Sequence, residues 1–399
     1  MSSSEPDGFD VVLALDYFRS GAPFLCLLQA LVPRYRIGLY LMPLAQQERD
    51  KAGHQQDRFV EACTAAGAEL IEGTGHRCDL MIVLQRPYGD SAVEQVFAAV
   101  QPRRVVGLMP LAMAGLDRHE RYLSQFGVEK LYVPCDRFRR FLLNRRNAEH
   151  WHRGLEVEQV GFPYGPTRLE PDFRADWVVA TPTGFSFRHE SHKHAFLHTV
   201  LNLLAQIDPD ETVIYKPHNG EYRDYLAPPG YVRLAQALRL MPGASGLAQA
   251  GSRAPAALGR FAAKLYTAFL HERVLRRCTP IREVTKRDWL PFEAFLPGVR
   301  RGVIGGLSNT MWGTLYFGLP FYNCVDKALR DSVDSGAEAS ARYLDVNLEF
   351  FGVPFCHGRL DFAGARGKGI VHPEDREGDL IAAVEADLAA IKEQQSCTG

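Results

Sequence analysis

Gly302–Pro320 reads GVIGGLSNTMWGTLYFGLP. A short apolar run ends in Gly305-Gly306, Ser308-Asn309-Thr310 opens a helical pattern, and Pro320 leads into a further strand end. The uncharged stretch from Gly302 to Val325 is long enough to cross a bilayer. Gly302, Gly305, Gly306, Ser308, Asn309, Thr310 and Pro320 would not suit a lipid-facing helix, so strand, loop and helix is the reading. Such a unit belongs to an α/β sheet. Glycines let a phosphate approach the backbone, and a helix start offers free N–H donors and the positive end of a dipole. Ser308 reads equally as a plain helix cap.

Upstream, Val213–Asn219 reads VIYKPHN. A strand carries Lys216 and His218 to its carboxyl end, where open α/β sheets bind ligands, and Pro217 sets the turn between them. A cation and an imidazole there can neutralise or protonate a departing phosphate. The same pair also fits a surface lysine and a histidine bonded to a nearby carbonyl. Further back, Trp177–Ala180 (WVVA) is a first strand followed by Thr181-Pro182-Thr183-Gly184. Residues 181–186 suit a base, a ribose or a phosphate, or simply turn the chain into the helix expected over Lys193–Ile207.

The amino-terminal half shows the same alternation. Phe9–Leu15 (FDVVLAL), Arg36–Met42, Leu80–Leu84, Val105–Met109, Leu131–Pro134 and Glu158–Val160 read as strands. Phe24–Val32, Asp57–Ala66 and Val93–Val100 read as helices. Strands alternating with helices predict doubly wound parallel sheets. Phe162-Pro163-Tyr164-Gly165-Pro166 is dense in turn residues and marks a hinge. The expected architecture is α/β: two Rossmann-like domains, over 1–165 and 176–330, facing a central cleft. A helical tail over 331–399 is expected to pack back on the first domain.

The chain has 399 residues, with 46 basic and 47 acidic side chains. A net charge of -1 excludes a nucleic-acid partner recruited by bulk charge. One block departs from this balance. Residues 243–287 are rich in alanine, leucine and arginine. Within them, Ala257–Arg277 places Leu258, Phe261, Leu265 and Phe269 on one helical face between Arg260, Lys264, Arg273, Arg276 and Arg277. This face suits an anionic membrane surface, or a core-packed helix with a solvated basic side. The eight cysteines include no C-x-x-C pair and read as buried thiols of a reducing cytoplasm. The polar, acidic amino terminus lacks the features of a signal peptide.

Asp16 directly follows the first buried strand, where an aspartate can act as general base toward an acceptor hydroxyl, or cap a helix. Arg86 and His119, on later loops of that half, are weaker alternatives. The run His189, His192, His194 and His198 lacks an H-E-x-x-H pattern and is read as a helix start rather than a metal site. The serine-hydrolase, P-loop and dinucleotide glycine motifs are all absent.

One order of short motifs stands out. It runs Leu131–Arg140 (LYVPCDRFRR), Val160-Gly161-Phe162-Pro163, Val178–Thr183 (VVATPT), Lys216-Pro217-His218, Ser308-Asn309-Thr310 and Gly318-Leu319-Pro320. It resembles the GT-B glycosyltransferases that build bacterial surface polymers. Within them it is most similar to the group of CDP-glycerol glycerophosphotransferases, bacterial sialyl- and polysialyltransferases and Kdo transferases. The resemblance implies that Lys216, His218, Ser308, Asn309 and Thr310 bind the donor's phosphates. The family's usual His-Pro pair reads His218-Asn219 here, and its double serine reads Ser-Asn-Thr.

The expectation is therefore a metal-independent transferase without a bound cofactor, either free in the cytoplasm or peripheral at the inner membrane. Its donor would be CMP-, CDP- or UDP-linked, held by Thr181, Thr183, Lys216, His218, Gly305, Gly306, Ser308, Asn309 and Thr310. The acceptor would be a surface polysaccharide or a lipid-linked precursor, with Asp16 and His218 catalytic. The rival expectations are a nucleotide-sugar 2-epimerase and a non-catalytic carbohydrate-binding relative.

Overall fold

The computed structural model describes residues 8–15, 22–42, 46–84, 90–109, 126–136, 139–140, 142–144, 154–161, 173–180, 190–216, 233–234, 256–278, 292, 295–306, 309–326, 329, 353–367 and 378–398. The chain forms two compact units. The first comprises residues 1–168, 289–294 and 371–399; the second comprises 169–288 and 295–370.

In the first unit the order is β1 (Phe9–Leu15), α1 (Ala22–Leu31), β2 (Ile37–Leu41), α2 (Gln46–Ala65), β3 (Glu69–Leu70) and β4 (His76–Leu84). Then follow α3 (Asp90–Ala99), β5 (Val100–Leu108), β6 (Lys130–Val133) and β7 (Glu156–Gln159). Among the described residues the sheet order is β3-β2-β1-β4-β5-β6-β7, with every pair parallel. The chain winds outward from β1 to β3, returns to the other side of β1 at β4, and winds outward again. Right-handed crossovers then put helices on both faces of the sheet. A parallel strand covered on both faces needs a continuous apolar run. FDVVLAL supplies one, and Val11 to Leu15 are all fully buried.

The apolar runs mark these strands but understate them. β4 was expected over Leu80–Leu84 and starts at His76, because Arg77 and Asp79 interrupt its apolar pattern. Its first half is still a ladder strand, with His76 opposite Val100 and Cys78 opposite Pro102. The helix expected over Asp57–Ala66 starts at Gln46, on a polar first half that carries no apolar stripe.

The second unit contains β8 (Ala175–Ala180), α4 (Glu190–Leu204), β9 (Val213–Lys216), α5 (Ala256–Arg277), β10 (Val299–Gly305), α6 (Asn309–Tyr316) and β11 (Phe321–Asn323). Its parallel sheet runs β11-β10-β8-β9. From β8 the chain moves to one side at β9, then crosses to the other side for β10 and β11. Residues 353–367 stay with this unit, and Phe355 bridges Asn323 in parallel.

α5 packs on α4. Its buried positions include Tyr266, Ala268, Leu270 and Val274, so the apolar stripe is not the side packed on α4. Phe261 is 47% exposed and Leu265 and Phe269 are half-buried, while the side chain of Leu258 lies outside the described residues. The reason is polar matching. His194 of α4 lies 3.0 Å from the Thr267 hydroxyl and 3.1 Å from the Ala263 carbonyl, and His198 lies 3.0 Å from the Tyr266 hydroxyl. These bonds turn the Tyr266–Thr267 side of α5 inward. Arg277 donates to the carbonyls of Leu204 and Ile207, at and just beyond the end of α4, where a cation also suits the helix dipole.

The last helix, α7 (Leu380–Thr398), belongs to the first unit and packs on α1 and β4. Asp387 on α7 is buried at 4% exposure. It accepts from Lys130 at 3.2 Å, pairs with Arg104 at 2.9 Å and receives the Tyr132 hydroxyl. Burial pushes the Tyr132 phenol well up, so it remains a donor. Lys130 also bonds Glu158 at 2.5 Å. Removing one member of such a cluster leaves the opposite charge buried and uncompensated. Asp387→Leu is therefore expected to destabilise the first unit by about 3–5 kcal/mol, read from urea unfolding followed by far-UV circular dichroism.

Candidate functional site

The strand order of the second unit reverses between β8 and β10, and open α/β sheets bind ligands outside the carboxyl ends of strands at such a switch point. The register there is specific. Asn323 of β11 pairs with Gly305 of β10, Gly305 with Ala180 of β8, and Ala180 with Lys216 of β9. One row across the sheet thus ends three of the segments picked out by sequence. Gly306 and the start of α6 follow Gly305 in the chain, Thr181 follows Ala180, and Pro217-His218 follows Lys216.

Gly305 is at this row because nothing larger fits. A Cβ on it would lie 2.6 Å from the Ala180 carbonyl oxygen and 3.2 Å from the Phe321 ring. Gly305 and Gly306 are both buried. Thr310 lies in the first turn of α6 and is half-exposed; its carbonyl accepts the Thr314 hydroxyl at 2.6 Å. The backbone of Asn309 starts this helix, while its side chain lies outside the described residues. Asp16, Thr181, Thr183, His218 and Ser308 lie outside the described residues, as do Arg86 and His119.

Lys216 is buried at 7% exposure, and its ammonium sits 5.5 Å from the centroid of the Phe295 ring. Phe295 in turn meets Phe173 edge-on at 5.1 Å, and Phe173 packs on Ala175 and Ile214. Strand alternation puts Ile214 and Lys216 on one face of the sheet. The lysine stem therefore follows an apolar face while its charge rests against an aromatic ring, an arrangement worth about 0.5–2 kcal/mol.

Tyr215 faces the other side. It is fully buried, and its hydroxyl lies 2.7 Å from His271 Nε2 on α5. Burial holds the His271 imidazole down at about 4, so it is neutral near pH 7. At the head of α4, Glu190 bonds Lys193 at 2.8 Å and accepts the Thr267 hydroxyl at 2.5 Å. Glu190 and Thr267 went unmarked at the level of sequence. Glu190 directly follows residues 181–189 in the chain, a position that a search for carboxylates after strand ends would have found. His194 and His198 are engaged by α5, and among the described residues there is no group of His, Cys, Asp and Glu that could hold a metal ion. Asn323 also went unmarked. It is fully buried, accepts the Val325 N–H at 2.9 Å, and donates to the carbonyls of Val325 and Val353.

No protein-family model and no curated protein matches the chain. Among solved structures, it is similar to the wall teichoic acid polymerase TagF with CDPG, at 9% identity and TM-score 0.44, over 97% of this chain and 90% of that one. UDP-N-acetylglucosamine 2-epimerase from Rickettsia bellii has 9% identity and TM-score 0.44, over 96% of each chain. A trehalose-phosphate synthase from Burkholderia vietnamiensis has 10% identity and TM-score 0.37, over 96% and 100% of the two chains.

Two outcomes are expected from this geometry. Gly305→Ala pushes a methyl group onto the Ala180 carbonyl and lowers the melting temperature, as scanning calorimetry will read. His271 has a folded-state pKa below its unfolded value, so the unfolded chain binds the extra proton first. Stability contributed by neutral His271 is present above about pH 6.5, the unfolded value, and is lost as pH falls toward about 4. His271→Gln is expected to flatten the urea midpoint between those limits.

Proposed function

We propose that the protein is a GT-B-type transferase that moves a sugar or a glycerophosphate group from a nucleotide-activated donor. The observation that carries this reading is the row Asn323–Gly305–Ala180–Lys216 at the reversal of strand order, from which the three motif-bearing segments depart. In the proposal the second unit holds the donor. Backbone N–H groups after Gly305-Gly306 and at the start of α6 take the phosphate oxygens, assisted by Ser308, Asn309 and Thr310. Thr181 and Thr183 line the nucleotide. Lys216 and His218 stabilise the departing nucleotide phosphate, His218 also as proton donor. Cationic and N–H groups supply the charge neutralisation, so the proposed reaction needs no metal.

The first unit takes the acceptor. Its own strand order reverses between β1 and β4, and Asp16 follows β1 in the chain, where it is proposed as the base for the acceptor hydroxyl. A polysaccharide or lipid-linked acceptor of the bacterial surface fits the resemblance. Contact with an anionic inner-membrane surface is proposed through the outer side of α5. There Phe261 is exposed beside exposed Arg260 and Lys264.

The test begins with binding. Among CMP, CDP, UDP and GDP, one nucleotide is expected to raise the melting temperature, since a ligand at a hundredfold excess over its Kd adds about 2.7 kcal/mol. The matching activated donor is then incubated alone and with a polysaccharide or lipid-linked acceptor. Transfer only in the presence of acceptor supports the reading; epimerised donor without acceptor supports the epimerase instead. His218→Ala is expected to lose turnover, and Asp16→Asn to lose turnover while keeping the nucleotide-induced stabilisation. If no nucleotide binds and His218→Ala changes nothing, the proposal fails. In liposome flotation, Phe261→Glu is expected to abolish binding to anionic vesicles. Flotation unchanged by it removes the membrane contact.

A further inference from the structure

We propose that Cys324 and Cys356 form a reversible disulfide that acts as an oxidation-sensitive clamp on the β11 edge of the second sheet. Cys324 follows β11, and Cys356 follows Phe355, which is bridged in parallel to Asn323. The two cysteines are therefore the next matched pair in register. Neighbouring parallel strands hold such Cα atoms about 4.7–4.9 Å apart, inside the span of about 4.4–6.8 Å that a disulfide bridges. The Cys356 N–H donates to the Asn323 carbonyl at 2.9 Å, and the Cys324 N–H to the Gly305 carbonyl at 2.8 Å. Both side chains are free, fully buried thiols, and the Cys324 thiol donates to the Tyr322 carbonyl at 3.6 Å.

The turn after Cys356 is tight and closes on the Cys356 backbone. His357 adopts φ 52°, in the left-handed region that favours glycine, and Gly358 follows at φ 67°. This lets the Arg359 N–H donate back to the Cys356 carbonyl at 3.1 Å. The neighbouring Cys324 thiol holds the Cys356 thiol down at about 7 against burial. Burial, and then the neighbouring Cys356, push Cys324 up. The pair is asymmetric: one sulfur is ready to attack, and the other carries the proton and waits beside it.

The proposed oxidant is hydrogen peroxide, small enough to reach a buried thiol. The Cys356 thiolate attacks one peroxide oxygen and the O–O bond breaks. Cys356 becomes a sulfenic acid, and the leaving hydroxide takes up a proton as water. The Cys324 sulfur then attacks the Cys356 sulfur and gives up its proton. The S–S bond forms, the S–O bond breaks, and the second hydroxide leaves as water. Two thiols have lost two electrons and two protons, and one peroxide has become two waters. The bond closes residues 325–355 into a loop and fastens the 353–360 segment to the edge whose Cys324 amide holds Gly305.

The experiment uses the full-length native protein, treated with hydrogen peroxide, quenched and alkylated in denaturant. Free thiols are expected to fall by two from the eight present. Peptide mapping should find Cys324 joined to Cys356, and a dithiol reductant should restore both. Recovery of both as free thiols would overturn the proposal. So would Cys356 over-oxidised to sulfinic acid beside a free Cys324. The exposed Cys397 gives an internal control, since its oxidation joins two chains and is separated by size. This readout is independent of any nucleotide or transfer assay.

Discussion

Asp387 carries the constraint on which the arrangement of the chain depends. A carboxylate this deeply buried is stable only with its partners in place, and those partners are Arg104, Lys130 and Tyr132 on β5 and β6. The helix that bears it must therefore return from the far end of the chain to the first unit. Arg34 pairs with Glu385, Lys392 with Asp10, and Gln395 donates to Asp79 along the same helix. The backbone must also pass Gly161 closely. Gly378 has φ 119°, and a Cβ there would lie 2.6 Å from the Gly161 nitrogen. The first unit is thus assembled from segments far apart in the chain.

The second unit depends on the row at its strand ends. Gly305 lets β10 approach β8, Asn323 holds the turn after β11 by its side-chain amide, and Lys216 closes the row on β9. On one face, aromatic rings seat the lysine. On the other, Tyr215 and His271 tie β9 to α5, and the Glu190, His194 and Thr267 contacts tie α5 to α4. α5 is therefore part of the scaffold behind the proposed donor site. Its basic exposed side and its buried side answer to different demands, which is how one helix can be both packed and a surface.

Much of this was legible in the residues. Parallel strands covered on both faces must be apolar throughout, so FDVVLAL and WVVA announced themselves. The glycine at the end of an apolar strand marked the close approach of β10 to β8, where a Cβ on Gly305 would meet the Ala180 carbonyl. The buried face of α5 was not legible. Apolar periodicity favoured Leu258, Phe261, Leu265 and Phe269, whereas Tyr266, Leu270 and Val274 are the ones buried. The preference was set by histidines on another helix, and periodicity within one helix cannot report the polar groups of its partner. Asn323, Glu190 and the Cys324–Cys356 pair were missed for the same reason, since each takes its meaning from a residue distant in the chain.

What the sequence determined by itself is local and periodic. It set which runs become strands, which turns need glycine, and that the pattern restarts near Trp177, because backbone sterics and burial act over a few residues. The tertiary structure decided which strand ends share a row, which side of α5 is hidden, where the final helix docks, and that two thiols meet in register. Those outcomes come from pairing across long stretches of chain. There, hydrogen bonds and buried charges must be satisfied by particular partners, and no local pattern names them.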